Sequence, residues 1–271
     1  MIVLITGASG LVGARLVPRL MAAGIECRVM MRGGKAVPAG VAGVQADLLD
    51  PASLPQAVAG VSAIIHLAAV FRTRDTDLIW KSNLEGTRNL IAAAKDHAPN
   101  ARFIMASTGL VYNRDSPRPG RENDPANPEV AYPASKLAAE NELSKSGLNW
   151  SIQRFGFVYG DRDGHLEAVP KLAANAQWHP AMRMSMIHHR DIAEAMKLAL
   201  TGTMDGHIVN IVDEAPTSIF EIGQLVGETI QPSSEPLTNP WYIHMDGALA
   251  RSLGFQPSVR TVYQAAKQNL L

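Results

Sequence analysis

Apolar positions fall in short runs separated by turn residues, and the spacing within the runs alternates between two periods. Residues 2–5 are a β-branched run followed at once by Gly-rich turn residues. Residues 11–23 then place their apolar side chains at helical spacing, and Gly24 ends the pattern. Residues 27–31, 44–46 and 63–67 read as further strands, with a helical pattern at 52–58 between the last two. An amphipathic helix is expected over 84–95, a strand over 102–107, a helix over 135–145 and a strand over 150–155. Strands alternating with helices at these lengths imply an α/β chain: a Rossmann-like doubly wound parallel sheet covered on both faces.

From about residue 161 the rhythm loosens. Residues 161–185 and 217–271 carry more Pro, His and Met, with helices expected at 219–229 and 261–268. Residues 187–201 and 207–212 read as returns to the sheet domain. The expected organisation is therefore a dinucleotide-binding domain of residues 1–160 plus 187–212, and a smaller substrate-binding lobe of residues 161–186 plus 213–271.

Composition narrows the function classes. Hydrophobic residues are 46% and charged residues 18% of the 271, which suits a well-cored globular chain. Lys+Arg and Asp+Glu balance at 25 each, so no global basic field exists to hold nucleic acid or an anionic membrane. Cys27 is the single cysteine, which rules out an intramolecular disulfide and a cysteine metal cluster. The opening Met-Ile-Val-Leu-Ile run has no basic leader and is too short to span a bilayer. A cytoplasmic location is expected.

The first chemical motif is Thr6-Gly7-Ala8-Ser9-Gly10-Leu11-Val12-Gly13, set between the first strand and the first helix. Gly7 permits the tight turn, Gly10 lets the backbone approach a pyrophosphate, and Gly13 lets the helix pack closely. The end of the second strand should meet the adenosine ribose. An NAD enzyme places a carboxylate there, whereas this chain has Met31 followed by Arg32, with Arg28 earlier on the strand and Lys35 in the loop. A guanidinium at that point suits a 2′-phosphate, so NADP(H) is the preferred cofactor, with NAD(H) the alternative. Asp47 and Leu48, after the third strand, fit the adenine.

Tyr132 and Lys136 stand four residues apart on one face of a helix start. An ammonium and a nicotinamide cation beside a phenol favour the phenolate, so Tyr132 is expected to titrate below its usual value. Such a tyrosine exchanges a proton with a substrate oxygen while the nicotinamide exchanges hydride. Thr108, at the end of the 102–107 strand, reaches the same oxygen. The expected catalytic residues are thus Thr108, Tyr132 and Lys136.

With these motifs the chain resembles an extended short-chain dehydrogenase/reductase of the NAD-dependent epimerase/dehydratase group. The likeness extends nearly end to end. It includes His66-Leu67-Ala68-Ala69, Asn83 to Thr87, Ser107-Thr108 with Val111-Tyr112, Glu122 to Pro125, Arg154 with Val158-Tyr159-Gly160, Ile187-His188 with Asp191 to Ala193, and Leu253 to Pro257. The resemblance implies that Leu67, Ala68 and Ala69 line the cofactor's phosphates and ribose and that Lys136 also binds the nicotinamide ribose. The implied cofactor set is Gly7, Ser9, Gly10, Leu11, Val12, Gly13, Arg32, Asp47, Leu48, Leu67, Ala68, Ala69, Tyr132, Lys136 and Phe155. It gives Asn83 a part in supporting the active site, against the alternative of a helix N-cap. It also implies a homodimer through the helices at 84–95 and 135–145, to which Leu84, Leu90, Ile91, Leu137 and Leu143 offer apolar surface.

Departures from the family narrow the chemistry. The acid pair that follows the catalytic Thr in sugar-nucleotide dehydratases is replaced by Gly109-Leu110, and Phe157 stands where nucleotide-sugar enzymes carry Asn. The Arg28 and Arg32 pattern is similar to the NADPH-using branch related to plant dihydroflavonol reductases. A compact carbonyl or hydroxyl compound without a nucleotide diphosphate is therefore the expected substrate. Lys171, Arg183 and Arg251 are too scattered to hold a diphosphate, whereas Trp178, Met182, Met184, Met186 and Trp241 suit either an apolar pocket or the lobe's own core. The alternatives are a nucleotide-sugar epimerase with retained NAD and a non-catalytic NADP-sensing regulator. No metal is expected: His188 and His189 point to opposite faces in an extended segment, and neither they nor His179 and His207 have carboxylates at ligand spacing.

Overall fold

The computed structural model describes residues 1–33, 37 and 39–271. Lys35 lies outside the described residues. The chain runs through β1 (Ile2–Thr6), α1 (Gly13–Ala22), β2 (Glu26–Met31), β3 (Ala42–Gln45), α2 (Leu54–Val58) and β4 (Ala63–His66). A long helical stretch follows, made of α3 (Thr76–Trp80), a π-helical turn (Lys81–Glu85) and α4 (Gly86–His97), then β5 (Arg102–Thr108), α5 (Ala131–Ser144) and β6 (Asn149–Phe155). The remainder is β7 (Phe157–Tyr159), α6 (His165–Asn175), β8 (Arg183–Met184), β9 (Met186–His188), α7 (His189–Leu200), β10 (Ile208–Ile211), β11 (Thr217–Ser218), α8 (Ile219–Val226), α9 (Ala248–Ser252) and α10 (Val262–Lys267).

Seven strands form one parallel sheet in the order β10-β6-β5-β4-β1-β2-β3. Strand side chains alternate between faces, which divides the core in two. Val3, Ile5, Ile65 and Ile104 lie under α1 and α7 with Leu16, Leu20, Met196 and Leu200. Leu4, Ile64, Phe103 and Met105 lie under α2, α4 and α5 with Leu54, Leu90 and Leu143. Both faces being covered explains why the strands read as continuous apolar runs. A third cluster gathers Tyr159, Leu166, Val169, Met182, Met184, Met186, Ile219, Ile222 and Val262 beside the sheet. Among the described residues no helix is long and apolar enough to cross a membrane.

The chain order reverses between β1 and β4, so the carboxyl ends of neighbouring strands part there and leave a crevice. Thr6 pairs with His66 across this point, and Thr108 pairs with Phe155 further along the same edge.

Two helix starts differ from expectation in ways that matter for the site. The helix expected from 135 begins at Ala131, because Pro133 sits in its first turn, where the missing N–H would have had no partner. The helix expected over 84–95 is preceded by α3, which Asp75 caps by accepting from Leu78 N at 2.9 Å. Asn83 is therefore no N-cap. It lies inside the π-turn, buried, where its amide brackets the backbone of Val70 (2.7 and 2.9 Å) and donates to Ser135 Oγ at 3.0 Å. α6 was not expected: Pro170 in its middle and Gly164 in the left-handed region before it both read as breaks.

Candidate active site

One cavity of about 1170 Å³ runs along the carboxyl edge of the sheet and out against the third cluster. Thr108, Tyr132 and Lys136 line it, together with Gly7, Ser9, Gly10, Leu11, Val12, Gly13, Arg32, Asp47, Leu48, Leu67, Ala68, Ala69 and Phe155. Every residue expected from the sequence to carry out catalysis or hold the cofactor thus borders the same space.

The glycine turn has the shape a pyrophosphate requires. Gly7 has φ +70°, and a Cβ there would stand 2.7 Å from Ala68 N, in the backbone of the loop after β4. A Cβ on Gly13 would stand 2.3 Å from Gly7 O, so the start of α1 sits directly on the turn. Gly10 faces the cavity with only Gly7 O near its missing Cβ, at 3.1 Å. A dinucleotide diphosphate fits this backbone cradle at the N-terminus of α1.

At the ribose end, Met31 is buried and Arg32 is exposed on the cavity wall. Arg28 is not part of this end. It donates to Ala57 O and Ala59 O at 3.0 and 2.7 Å, tying β2 to the end of α2. Asp47 Oδ1 accepts from Leu49 N at 3.0 Å and shapes the loop whose Leu48 and Leu49 also line the cavity.

His66 organises the loop after β4. Thr87 Oγ1 donates to Asn83 O at 2.6 Å, so it must accept from His66 Nε2 at 3.0 Å. His66 Nδ1 then accepts from Thr6 Oγ1 at 2.7 Å, and Thr6 Oγ1 accepts from Ala68 N at 3.2 Å. This relay fixes a neutral ring. Burial first, and the Lys136 charge second, push His66 down to about 3.

Tyr132 is half-buried in the first turn of α5, and Lys136 follows on the same face with 2% of its surface exposed. Burial lowers Lys136 to about 8, opposed by Glu140 one turn further on. Glu140 does not pair with Lys136. It accepts from Arg154 Nη2 at 2.6 Å and from Ser107 Oγ, both buried. Arg154 Nη1 continues to Tyr112 Oη at 3.0 Å, and Tyr112 donates to Asn210 Oδ1 at 2.6 Å. This polar plate under the catalytic helix explains the motif residues Ser107, Tyr112 and Arg154, and Glu140 is the member that sequence reasoning missed. Its signal was present as an acidic residue four positions after Lys136.

The expected lowering of Tyr132 does not hold in the chain by itself. Burial pushes its phenol up to about 12, while the Thr108 hydroxyl and the Arg72 charge pull the other way. A buried phenolate lacks solvation, and the neighbouring ammonium is itself only weakly held in its charged form. The phenol therefore keeps its proton at neutral pH.

The substrate end differs from expectation in composition. Trp178 and Met184 line it, but Met182 and Met186 are core residues of the third cluster, and Trp241 stacks with His244 away from the wall. Of the cations considered, Arg251 is tied to Val212 O and Asp213 O, and none of Lys171, Arg183 and Arg251 reaches the cavity. Arg72 and Arg114 do reach it, from irregular loops where no periodic pattern marks a facing residue. The histidines also have other uses. His188 Nδ1 accepts from Arg190 N and caps α7, and His189 Nε2 meets Asp163 at 2.8 Å.

A parallel Rossmann sheet, a glycine cradle at its switch point and a Thr-Tyr-Lys group on one wall define a class of cofactor-dependent enzyme. The chain belongs to the NAD-dependent epimerase/dehydratase family, whose model matches residues 3–212, and is an NAD(P)-dependent enzyme of the short-chain dehydrogenase/reductase type. It is 28% identical over 243 residues to the 4-hydroxy-2-methyl-3-oxo-4-farnesyl-3,4-dihydroquinoline-1-oxide ketoreductase of Stigmatella aurantiaca, covering 83% of this chain and 72% of that one. Its fold matches a short-chain dehydrogenase/reductase superfamily protein of Agrobacterium tumefaciens with bound NAD, at TM-score 0.81 and 25% identity, over 99% and 95% of the two chains. The UDP-glucose 4-epimerase of Thermus thermophilus in complex with NAD matches at TM-score 0.79 and 24% identity, over 98% of each chain.

Proposed function

We propose that this enzyme uses NADPH to reduce a small or medium-sized carbonyl compound, with Tyr132 as proton donor. A bound nicotinamide supplies the hydride. Thr108 and Tyr132 hold the carbonyl oxygen, and Tyr132 gives it the proton as the oxygen gains charge. Lys136 keeps that oxygen's surroundings positive and holds the nicotinamide ribose, and Arg32 holds the ribose 2′-phosphate.

The observation that carries the reading is the wall next to Thr108. Gly109 and Leu110 stand where a dehydratase carries its acid pair, and the Met245 side chain packs over Gly109, its Sδ 2.2 Å from where a Cβ would be. The proton chemistry available at this wall is then that of a single donor. The ketoreductase relative supports the same direction. The Tyr132 and Lys136 pair on the cavity wall speaks against a non-catalytic sensor of NADP. A nucleotide-sugar epimerase with retained NAD is the second reading, favoured by the two arginines that line the substrate end. The reading assigns the cofactor and the catalytic group to residues 1–160 plus 187–212, and the outer wall of the substrate pocket to residues 161–186 plus 213–271.

The deciding experiment follows NADPH oxidation over a panel of aldehydes, ketones and nucleotide sugars. It is paired with calorimetry using UDP-glucose, GDP-mannose and dTDP-glucose at saturating cofactor. Turnover of ketones without micromolar binding of a nucleotide sugar supports the reductase. Micromolar binding of any of the three restores the epimerase.

Self-association through α4 and α5 is part of the same proposal. Leu90, Ile91 and Leu143 are buried against the sheet, so the surface must rely on half-buried Leu84 and Leu137, with the exposed Arg88–Glu142 pair beside them. Sedimentation at micromolar concentration should give a dimer mass, and a monomer refutes it.

A further inference from the structure

Three side chains from two elements are stacked at the reacting end of the cavity. Phe71 lies over the catalytic tyrosine, with ring centroids of Phe71 and Tyr132 5.6 Å apart. The guanidinium carbon of Arg72 lies 5.0 Å over the other ring of the stack, that of Phe71. All three line the cavity. Arg72 has φ +59°, in the left-handed region that residues other than glycine seldom adopt. Among the described residues Arg72 makes no salt bridge, whereas Arg19, Arg88, Arg102, Arg118, Arg121, Arg154 and Arg260 each hold a carboxylate. Its charge opposes the rise that burial gives Tyr132 and adds to the lowering that burial gives His165.

Beyond this cation one stretch of the wall is apolar, while Asn113, Arg114, Asp115, Asn127, Glu129 and Asn239 line the cavity elsewhere. Phe157, Leu172, Trp178, Met184 and Ile243 line the cavity on the side of the third cluster. His165 interrupts this wall, but its Nδ1 is turned to Val158 O at 3.2 Å and its ring packs on Phe157. A substrate matching this layout has one anionic group close to its carbonyl and an apolar body extending away.

We propose that the substrate is an oxo acid with an apolar chain, its carboxylate bound by Arg72 a few bonds from the carbonyl that Tyr132 protonates. This rests on the carbonyl-reductase reading above and narrows it to a substrate class. The guanidinium offers a carboxylate two parallel N–H donors, and the Phe71 face holds its plane in place. Phe71 links the two groups, with the Arg72 guanidinium 5.0 Å from its ring and the Tyr132 ring 5.6 Å from it.

The test compares 3-oxooctanoate with its methyl ester as substrates in the presence of NADPH, in the unmodified protein and in Arg72→Gln and Arg72→Lys. The acid should be favoured in kcat/KM by about tenfold or more, the scale of a charge-assisted contact. Arg72→Gln should bring the ratio close to one, and Arg72→Lys should keep part of it. A second readout needs no turnover: tryptophan fluorescence of the cofactor complex titrated with octanoate, octanol and UDP-glucose. Octanoate should bind more tightly than octanol, and Arg72→Gln should remove the difference. Ester turnover without acid preference overturns this inference and leaves the reductase standing. Octanoate binding that depends on Arg72, with neither compound reduced, overturns the reductase and leaves the carboxylate site. An acid preference that survives Arg72→Gln, a UDP-glucose response that depends on Arg72, or absence of both octanoate binding and turnover each overturns the assignment.

Discussion

On the proposed function, two residues one helical turn apart divide the work of the site. Tyr132 is a phenol pushed up to about 12 by burial, so it carries its proton at neutral pH and can give it away only as a substrate oxygen becomes more basic. Tyr132→Phe should keep cofactor affinity and lose at least about a hundredfold in turnover, the usual scale for a general acid. Steady-state rates beside cofactor titrations check both halves of that statement. Lys136 has the opposite perturbation: burial holds it at about 8, below its usual 10.5. It is charged below about 8 and neutral above. Its contact with the cofactor ribose should therefore weaken as pH rises through that value. Titrating NADPH binding from pH 6.5 to 9.5 should show the loss, and Lys136→Met should flatten it. Glu140→Gln should move the midpoint downward, because the Glu140 charge is what holds the ammonium up.

Elements reveal which parts of the site a sequence can announce. β1, the glycine turn and α1 are local: the β-branched run, the turn glycines and the helical period all lie within residues 2–23, and each is visible without tertiary contacts. The same holds for Tyr132 and Lys136, which are joined by one helical turn. Phe71 and Arg72 gave no such signal, because their place depends on Asn83 gripping Val70 across thirteen residues and on a π-turn that no periodicity foretells. The lobe's Met residues were ambiguous for a similar reason: 182, 184 and 186 would share one face of a continuous strand, but the chain breaks at Ser185 between β8 and β9 and only Met184 of the three borders the cavity.

Asp213, after β10, illustrates a junction invisible in sequence. Its N donates to Met186 O at 2.7 Å, and its Oδ1 accepts from Ala215 N, but its buried Oδ2 has no partner among the described residues. Burial raises it to about 8 from 3.8. Between these values the unfolded chain has lost the proton and the folded chain keeps it, so stability falls as pH rises through that window. Asp213→Asn should remove the slope. Chemical denaturation should find the variant more stable than the parent by more than about 1 kcal/mol at pH 8.5, with little difference at pH 4.

At the scale of the molecule, the cavity joins the sheet to the third cluster, so a ligand that fills it adds contacts to both. The sheet's carboxyl edge supplies the glycine cradle, Arg32 and the catalytic wall, while Trp178 and Met184 come from the outer cluster. A cofactor binding only the folded chain stabilises it by about 2.7 kcal/mol at a hundred times its dissociation constant. For a chain of this size that is a rise of roughly 5–10 °C in the melting temperature. The rise also separates the two cofactors. NADPH and NADH share every contact except the 2′-phosphate, where Met31 leaves no carboxylate to hold a free hydroxyl and Arg32 is an exposed cation. On the NADPH reading proposed above, a charge-assisted contact there should make NADPH about ten to a hundred times tighter. At a concentration giving the full rise with NADPH, NADH should therefore give less than about half of it. Arg32→Ala should pull the NADPH rise down to the NADH level and leave the NADH rise unchanged. Differential scanning fluorimetry on both proteins with both cofactors reads all four values. A larger rise with NADH in the unmodified protein would refute the NADPH assignment and return the ribose end to NAD.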